Sequence, residues 1–262
     1  MTPGYNLMDT IEQIAAQAAQ YLSAASSVVC LTGAGVSAES GVPTFRDAQT
    51  GLWSRFDAEE LASPQGFERD PGLVWRWYMG RLGQLEEAAP NAGHTALAQL
   101  AGLCERFVLV TQNVDDLHEQ AGSVDVIHLH GSLLNFRCVS CSAPHNLTEV
   151  QRRADSPPAC GVCGDLVRPD VVWFGEGLPW EAVETAAGAA HDCDLMLVVG
   201  TSGLVYPAAQ LPLIAKKGGA TVIDVNPEPG PISSVADLFL QGKSGEMLPA
   251  LVRAVADKRA NV

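Results

Sequence analysis

The sequence is poor in basic residues and has no long apolar run. Lys and Arg together number 16 against 30 Asp and Glu, which gives a formal net charge of -14. Without a basic patch the chain is not expected to bind a nucleic-acid backbone, and a cationic partner such as a lysine-rich peptide is favoured instead. No stretch approaches the roughly 20 consecutive apolar residues that cross a bilayer, so no membrane span is expected.

A secretory leader is also missing from the start of the sequence. Residues 1–6 have neither the basic start nor the apolar core of a signal peptide. We therefore expect a cytoplasmic protein whose seven cysteines do not form disulfides. Cys30, Cys104 and Cys193 each stand alone in apolar surroundings, as small buried side chains do. There is no internal repeat and no low-complexity tract.

The sequence does contain a regular alternation of apolar runs and helix-like segments. Strands are predicted at 28–32, 107–111, 126–129, 195–199, 220–225 and 236–240, and helices at 11–23, 91–105, 181–190, 208–217 and 246–255. This alternation predicts an α/β fold with a parallel sheet and helices on both faces. Ligands of such sheets bind at the carboxyl ends of the strands.

A glycine-rich turn follows the first predicted strand. Gly33 and Gly35 would let the backbone approach a pyrophosphate, and Ala38 fills the third small position of a dinucleotide fingerprint. An ordinary Rossmann unit would continue into a helix and a second strand, but Pro43 interrupts the segment. The turn therefore predicts a Rossmann-like domain that holds a dinucleotide for chemistry other than simple hydride transfer.

Two segments do not fit the alternation and predict a second, smaller domain. The first, 47–89, reads as loops and helices, and the second, 135–168, has little periodicity. The predicted division is a Rossmann-like domain of residues 1–46, 90–134 and 169–262 and a small domain of residues 47–89 and 135–168.

Two Cys-x-x-Cys pairs lie in the second of these segments. Cys138 and Cys141 are separated by eighteen residues from Cys160 and Cys163, a spacing that falls within the range of zinc ribbons. Four thiolates close the tetrahedral shell of a zinc ion and leave no position for water. The pairs therefore predict a structural zinc site that replaces a core the segment is too short to build.

Polar residues follow the predicted strands at the edge where a ligand would bind. Gln112, Asn113 and Asp115 can hydrogen-bond a ribose or a carboxamide, although such a run also fits a helix N-cap. His130 ends another strand, where a neutral imidazole could act as a general base. Its position does not by itself distinguish this role from a structural one. Gly200, Thr201, Ser202 and Asn226 offer further contacts at two more strand ends.

These motifs occur in the order seen in sirtuins, and the sequence resembles that family from about residue 28 to residue 249. Sirtuins are NAD-dependent protein lysine deacylases that consume the cofactor, so the resemblance implies NAD as cosubstrate and one structural Zn²⁺. By that resemblance the NAD contacts are Gly33, Ala34, Gly35, Ala38, Phe45, Arg46, Trp53, Gln112, Asn113, Asp115, Gly200, Ser202, Asn226 and Ser244.

The resemblance also implies a reaction and a way of binding substrate. The acyl oxygen of a modified lysine attacks the ribose carbon that bears nicotinamide, and His130 then takes a proton from a ribose hydroxyl. The products are free lysine, nicotinamide and O-acyl-ADP-ribose. The segment that would pair with the substrate peptide as an added strand includes Val172, Phe174, Gly175 and Glu176.

Tyr78 and Arg81 predict which acyl group is removed. Three residues apart on a helix, they point to one face. They resemble the Tyr-x-x-Arg pair of the sirtuin subgroup that removes succinyl, malonyl and glutaryl groups, in which Arg clamps a carboxylate and the tyrosine hydroxyl assists. Ala62 matches a small residue that opens the acyl pocket in that subgroup. Without the resemblance, a surface arginine on an amphipathic helix with the tyrosine in its core is the favoured explanation of the pair.

Several other functions stay open at this point. The chain could be a general lysine deacetylase, a mono-ADP-ribosyltransferase, or a non-catalytic sensor that binds zinc and NAD. A dehydrogenase is disfavoured, because that reaction explains neither the cysteine pairs nor the Phe45-Arg46 loop. The expected partners are acylated-lysine segments of other proteins, and a monomer is expected.

Overall fold

The structure is a computed structural model that describes residues 7–43 and 57–260. Its helices are α1 (Leu7–Ala24), α2 (Ala58–Leu61), α3 (Pro64–Arg69), α4 (Pro71–Glu87), α5 (Ala92–Leu103), α6 (Leu117–Gln120), α7 (Glu149–Arg152), α8 (Trp180–Asp192), α9 (Leu211–Gly218) and α10 (Ser244–Ala260). Its strands are β1 (Ser27–Thr32), β2 (Arg106–Thr111), β3 (Ile127–His128), β4 (Gly131–Cys138), β5 (Pro144–His145), β6 (Val167–Val171), β7 (Leu195–Val199), β8 (Thr221–Asn226) and β9 (Leu238–Gln241). Over these ranges, no helix combines the length and the apolar content needed to span a bilayer.

Six strands form a parallel sheet in the order β3-β2-β1-β7-β8-β9. From β1 the chain first adds β2 and β3 on one side of the sheet. It later adds β7, β8 and β9 on the other side. The carboxyl ends of β1 and β7 therefore meet where the strand order reverses, which is where α/β sheets bind their ligands. The predicted parallel α/β fold is confirmed.

Side chains of the central strands alternate between two cores, one on each face of the sheet. Val28 and Cys30 of β1 point into a core with α1, α5 and α10, whereas Val29 and Leu31 point into a core with α8 and α9. Because both faces are covered by helices, these strands are apolar at every position rather than at alternate ones. The predicted helices on both faces are confirmed.

A second, antiparallel sheet of three strands has the order β5-β4-β6. Its apolar face packs with helices α2, α3 and α4 in a separate core that includes Trp75, Leu133, Phe136 and Cys138. This is the smaller helical and cysteine-bearing unit that the sequence predicts. The residue boundaries proposed for the two domains stay a prediction, and strands β4 and β6 run across those at 134/135 and 168/169.

Candidate active site

Two glycine turns pack against each other at the carboxyl ends of β1 and β7. The N–H of Gly33 donates to the Val199 carbonyl at 3.0 Å, and that of Gly35 donates to the Gly200 carbonyl at 2.8 Å. A Cβ at Gly35 would lie 2.6 Å from the Gly200 oxygen, and Gly200 has a φ of +61°. This contact already requires glycine at both positions, and the predicted approach of the turn to a pyrophosphate stays a prediction.

Side chains at the carboxyl ends of β2 and β8 converge on Thr201, which follows Gly200 of the second glycine turn. Gln112 donates through Nε2 to the Thr201 hydroxyl at 2.8 Å, and Asn226 donates through Nδ2 to the Thr201 carbonyl at 3.3 Å. Ser202 accepts a longer bond of 3.4 Å from the Leu204 N–H. The structure therefore brings the predicted polar residues of three strand ends to one place, around Thr201.

Ser37 lies at the centre of a buried hydrogen-bond network beside the first glycine turn. Its hydroxyl donates to Asp115 Oδ2 at 3.0 Å and accepts from Asn113 Nδ2 at 3.0 Å. His94 Nε2 approaches the same oxygen at 3.4 Å, while its Nδ1 accepts the Asn91 N–H. Since the proton of His94 is then on Nε2, the ring donates to Ser37 and Ser37 donates to Asp115. Burial raises the pKa of the Asp115 carboxyl.

A second buried histidine extends this network beneath the sheet edge. His118 Nε2 lies 2.9 Å from the hydroxyl of Thr32, which also bonds that of Thr111. The rings of His94 and His118 are 4.9 Å apart. Burial lowers the pKa of His94 to about 4 and that of His118 to about 3, so both are neutral at physiological pH.

His130 is held in one tautomer at the end of the segment that follows β3. Its Nδ1 lies 2.8 Å from the Gln112 carbonyl oxygen, an atom that can only accept, so Nδ1 carries the proton. Nε2 keeps its lone pair, and no described residue bonds to it. Burial lowers the pKa of His130, and the bond to Gln112 offsets part of that effect. A neutral imidazole with a free Nε2 is suited to general-base catalysis.

His128, by contrast, is paired on both ring nitrogens. Its Nε2 lies 2.7 Å from Glu119, and its Nδ1 lies 3.2 Å from the Asn113 carbonyl. Of the two histidines in this strand segment, the structure therefore leaves only His130 with a free nitrogen among the described residues.

Glu39 links the glycine-rich segment to the N-terminus of α10. Its carboxylate accepts the Ser244 hydroxyl at 3.1 Å and the Gly245 N–H at 2.8 Å. An acidic group at this end of a helix is stabilising because it complements the helix dipole. Ser244, a predicted NAD contact, thus has its hydroxyl bonded within the chain. Ala34 and Ala38 lie in two short 3₁₀ turns, whereas Phe45, Arg46 and Trp53 lie outside the described residues.

The predicted peptide-binding segment is already bonded on its N–H side. Val172 donates to the His130 carbonyl at 2.9 Å, and Phe174 donates to the Ala62 carbonyl at 2.8 Å. Glu176 donates to the Trp173 carbonyl at 2.9 Å. A substrate peptide that adds as a strand here would therefore have to pair with the carbonyl groups and with the N–H of Gly175. That N–H has no partner among the described residues. The bond to Ala62 places the small predicted pocket residue directly beside this segment.

The side chain of Glu176 points into the protein rather than toward a peptide. It receives two bonds from the guanidinium of Arg168, from Nη1 at 2.5 Å and from Nη2 at 2.9 Å, and a third from the Trp173 N–H at 2.8 Å. Burial would raise the pKa of Glu176, but these bonds outweigh it and the pKa is lowered. Arg168 could not be recognised from the sequence, because its partner Glu176 lies eight residues away, across a loop.

Helix α4 carries the predicted acyl-recognition pair. The helix begins after Asp70, whose side chain accepts the Leu73 N–H at 2.9 Å, and Pro71 occupies its first turn. These signals place Tyr78 and Arg81 in the middle of the helix, on the face that packs toward the small-domain core.

Tyr78 is buried and Arg81 is half-buried on that face. The Tyr78 oxygen accepts the indole N–H of Trp173 at 2.9 Å. The guanidinium carbon of Arg81 lies 5.3 Å from the centre of the Trp77 ring. Within residues 7–43 and 57–260, Arg81 makes no hydrogen bond or ion pair. Burial lowers its pKa, although the group remains charged.

The four predicted zinc ligands come together at one end of the small sheet. All four sulfur atoms lie within 4.8 Å of one another, with Cys138 and Cys163 at 3.4 Å and Cys141 and Cys160 at 3.8 Å. Tetrahedral zinc with bonds of about 2.3 Å requires sulfur separations of about 3.8 Å, so this set fits the ion. In the described part of the chain it is the only group of three or more such side chains placed to hold a metal.

Fold and site together define a class of protein. A doubly wound sheet presents a cluster of polar side chains at its switch point. A histidine with a free nitrogen lies at a strand end near that cluster, and a unit with four clustered cysteines packs alongside. Such an arrangement is typical of an enzyme that acts on a bound dinucleotide.

Comparison with known proteins identifies the family within that class. The chain belongs to the Sir2 family, whose pattern matches residues 33–207. An NAD-dependent protein deacylase of Thermococcus kodakarensis is 51% identical over 245 residues, covering 92% of this chain and 95% of the relative. NAD-dependent protein deacylase 1 of Pseudomonas aeruginosa is 50% identical over 240 residues, covering 89% and 96%.

Solved structures give the same result. A crystal structure of a Sir2 homologue in complex with NAD has a TM-score of 0.85 at 46% identity, covering 92% of this chain and 94% of that one. A complex of Sir2 with a p53 peptide and NAD⁺ has a TM-score of 0.81 at 32% identity, covering 94% and 98%. The predicted sirtuin membership is confirmed, and the predicted class of activity agrees with the names of these relatives.

Proposed function

We propose that this protein is an NAD-dependent protein lysine deacylase that prefers acidic acyl groups. The general activity is supported by its relatives, which carry the name deacylase, and by its structural neighbours, which bind NAD and a peptide. Within this chain, the observation that carries the proposal is the state of His130, which has a fixed tautomer and a free Nε2.

The groups around His130 have different roles in the proposed reaction. The carbonyl of Gln112 holds the imidazole so that Nε2 can accept a proton from a ribose hydroxyl. Asn113 and Asp115, oriented by Ser37, bind the nicotinamide end of the cosubstrate. Gly200, Ser202 and Asn226, at the neighbouring strand ends, bind the adenosine half. Bound NAD supplies the electrophilic ribose carbon and the nicotinamide leaving group.

The preference for acidic acyl groups is supported by the state of Arg81. A guanidinium that is partly removed from water, with no described carboxylate beside it, is costly to the protein until a partner arrives. The terminal carboxylate of a succinyl, malonyl or glutaryl group would supply that partner through two parallel hydrogen bonds. Tyr78, one turn away, would add a third bond. Acetyl-lysine has no such carboxylate and would leave the charge unpaired.

A panel of acylated peptides tests both parts of the proposal. Peptides of one sequence carrying acetyl-, malonyl-, succinyl- or glutaryl-lysine are incubated with the enzyme and NAD, and mass spectrometry follows nicotinamide, free lysine and O-acyl-ADP-ribose. We expect the acidic acyl groups to give the higher kcat/KM. Transfer of label from NAD onto protein, without deacylated lysine, would instead indicate an ADP-ribosyltransferase.

Substitution of Arg81 tests the clamp itself. Arg81→Met should lower kcat/KM for desuccinylation about ten- to a hundredfold, which corresponds to the loss of a hydrogen bond to a charged group. Deacetylation should stay nearly unchanged. Arg76→Met is the matched control, because Arg76 lies on the same helix but is exposed and bonds the Asp155 carbonyl. Equal loss of both activities in a folded Arg81→Met variant would refute the proposed preference.

A further inference from the structure

We propose that Trp173 is a positioning residue for acyl selectivity, because its indole N–H sets the direction in which Tyr78 donates its hydroxyl proton. This inference rests on the proposed preference for acidic acyl groups. Trp173 lies between two residues of the predicted peptide-binding segment, but the sequence alone gives it no role. In the structure it links that segment to the acyl-recognition helix.

The indole of Trp173 is held by a rigid frame. The residue is only 2% exposed, and the Arg168 guanidinium carbon lies 3.2 Å from the centre of its ring. Arg168 is fixed in turn by both oxygens of Glu176 and by the carbonyl of Val171 at 2.8 Å. The same Glu176 carboxylate accepts the Trp173 backbone N–H at 2.8 Å. Both the ring plane and the backbone of Trp173 are therefore set by one ion pair.

That frame directs the indole N–H at the oxygen of Tyr78, 2.9 Å away. An indole nitrogen can only donate, so Tyr78 must accept this bond. The proton of a phenol lies in the plane of its ring and has two positions there. Donation from Trp173 occupies one of them, so the Tyr78 proton takes the other. No other described residue bonds the Tyr78 oxygen, and its proton is left to donate to a ligand.

The consequence concerns the substrate carboxylate. Tyr78 and Arg81 lie one turn apart on the same face of α4, so a carboxylate held by Arg81 can also receive the Tyr78 proton. Without the bond from Trp173, the hydroxyl would divide its time between two orientations, and only one of them serves the carboxylate. Trp173 thus acts through Tyr78 and does not itself touch the acyl group.

The test is Trp173→Phe, which keeps an aromatic ring beside Arg168 and removes the donor together with part of the indole. We expect kcat/KM for the succinyl peptide to fall about three- to tenfold relative to the acetyl peptide, the range for a weakened hydrogen bond. The change should be in KM rather than kcat, because the clamp holds ground state and transition state alike. Trp75→Phe is the matched control: Trp75 is fully buried in the same core, but its N–H has no described partner.

A double-mutant cycle with Tyr78→Phe isolates the coupling. In the Tyr78→Phe background, Trp173→Phe should leave the succinyl-to-acetyl ratio unchanged, because the acceptor is already absent. Equal loss of both activities in Trp173→Phe, or an unchanged ratio, would overturn the role of Trp173. Retention of succinyl selectivity by Arg81→Met would instead overturn the proposed function on which it rests.

A measurement on the Tyr78→Phe variant covers the case in which Trp173→Phe does not fold. The indole N–H resonances of the five tryptophans are compared by NMR before and after the substitution. One resonance should shift to the position of a non-bonded indole, and its exchange with solvent should become faster. If none of the resonances changes, the bond does not exist in solution and the inference is wrong.

Discussion

At the scale of single residues, the chemistry depends on where protons are placed. The Gln112 carbonyl selects the tautomer of His130, and the Asn91 N–H selects that of His94. Both selections are made by backbone groups, which cannot rotate away. The proposed base and the network under the proposed nicotinamide pocket are therefore set before any ligand binds, and pre-organisation of this kind lowers the cost of reaching the transition state.

The pKa of His130 predicts the pH dependence of the reaction. The base must be neutral to accept a proton, and burial lowers its pKa below the ordinary value of about 6.5. Activity should therefore rise as pH increases through this lowered pKa and be fully present at neutral pH. We expect the acid limb of kcat/KM to have its midpoint below about pH 6.5, and His130→Asn to lower kcat about a hundredfold or more.

Folding must be followed across the same pH range. His94 and His118 are neutral in the folded state but have ordinary pKa values when unfolded, so the folded state loses stability as the pH falls below about 6.5. Circular dichroism at each pH separates this loss from titration of the base. An acid limb centred above about pH 7 with the fold intact, or full activity in His130→Asn, would contradict the assignment of His130.

Some candidate site residues could be proposed from the sequence because they stand in motifs at strand ends. Gln112, Asn113 and His130 were proposed in this way. Others could not, because only the fold gives them a partner. His94 lies 57 residues from Ser37 along the chain, and Trp173 lies 95 residues from Tyr78. In a sequence, such a histidine or tryptophan cannot be distinguished from an ordinary core residue.

At the scale of elements, the two glycine turns shape the proposed dinucleotide site. They meet through backbone atoms alone, with the Gly35 N–H bonded to the Gly200 carbonyl. The central strands β1 and β7 are in register up to Thr32 and Val199, so both turns begin at the same level of the sheet. A side chain on either turn would therefore separate the two loops that border the proposed dinucleotide site.

Gly35→Ala tests this contact. The new methyl group would lie 2.6 Å from the Gly200 oxygen, so the turns must move apart. We expect the KM for NAD to rise at least about tenfold and the free energy of unfolding to fall by about 1–3 kcal/mol, the cost of overpacking. Steady-state kinetics and urea unfolding measure the two effects.

Gly83→Ala is the control for that experiment. Gly83 lies within α4, and no atom lies within 4 Å of a Cβ placed there. Alanine favours a helix over glycine by up to about 1 kcal/mol, so this variant should be slightly more stable and keep its KM for NAD. If the two variants show the same KM for NAD, contact between the turns is not what shapes the site.

The large sheet was predicted well at this scale, and the small one was not. The strand at 195–199 has the bounds predicted for it, because it is apolar throughout and buried on both faces. Helix α10 extends beyond the predicted 246–255 to Ser244–Ala260, since its last turn is polar and shows no apolar period. Strands β4, β5 and β6 were missed: β5 has only two residues, and the pairing of β4 with β6 is broken by an irregularity.

At the scale of the whole molecule, two units of different character support one site. The large sheet is held by apolar burial on both faces, whereas the small unit has a core of aromatic residues and a cysteine cluster at its end. His130 lies at the junction, between strand β3 of the large sheet and strand β4 of the small one. Loss of order in the small unit should therefore disturb His130, the proposed base, directly.

Metal removal tests this dependence. Elemental analysis should find one zinc ion per chain, and a chelator should release it together with the deacylase activity and lower the melting temperature. Cys141→Ser should have the same effect, because it removes one of four ligands. Cys104→Ser is the control, since Cys104 is half-buried and lies outside the cluster. Full activity in a metal-free protein would show that the cluster does not support the site.

Strand β4 has a consequence for how this protein would respond to its surroundings. It starts at Gly131, next to His130, and ends at Cys138, a member of the cysteine cluster, so roughly 25 Å of extended backbone joins the two. Loss of the zinc ion is therefore expected to disturb the position of His130 and to lower turnover even when NAD is abundant. Turnover would then depend on zinc supply as well as on cosubstrate levels.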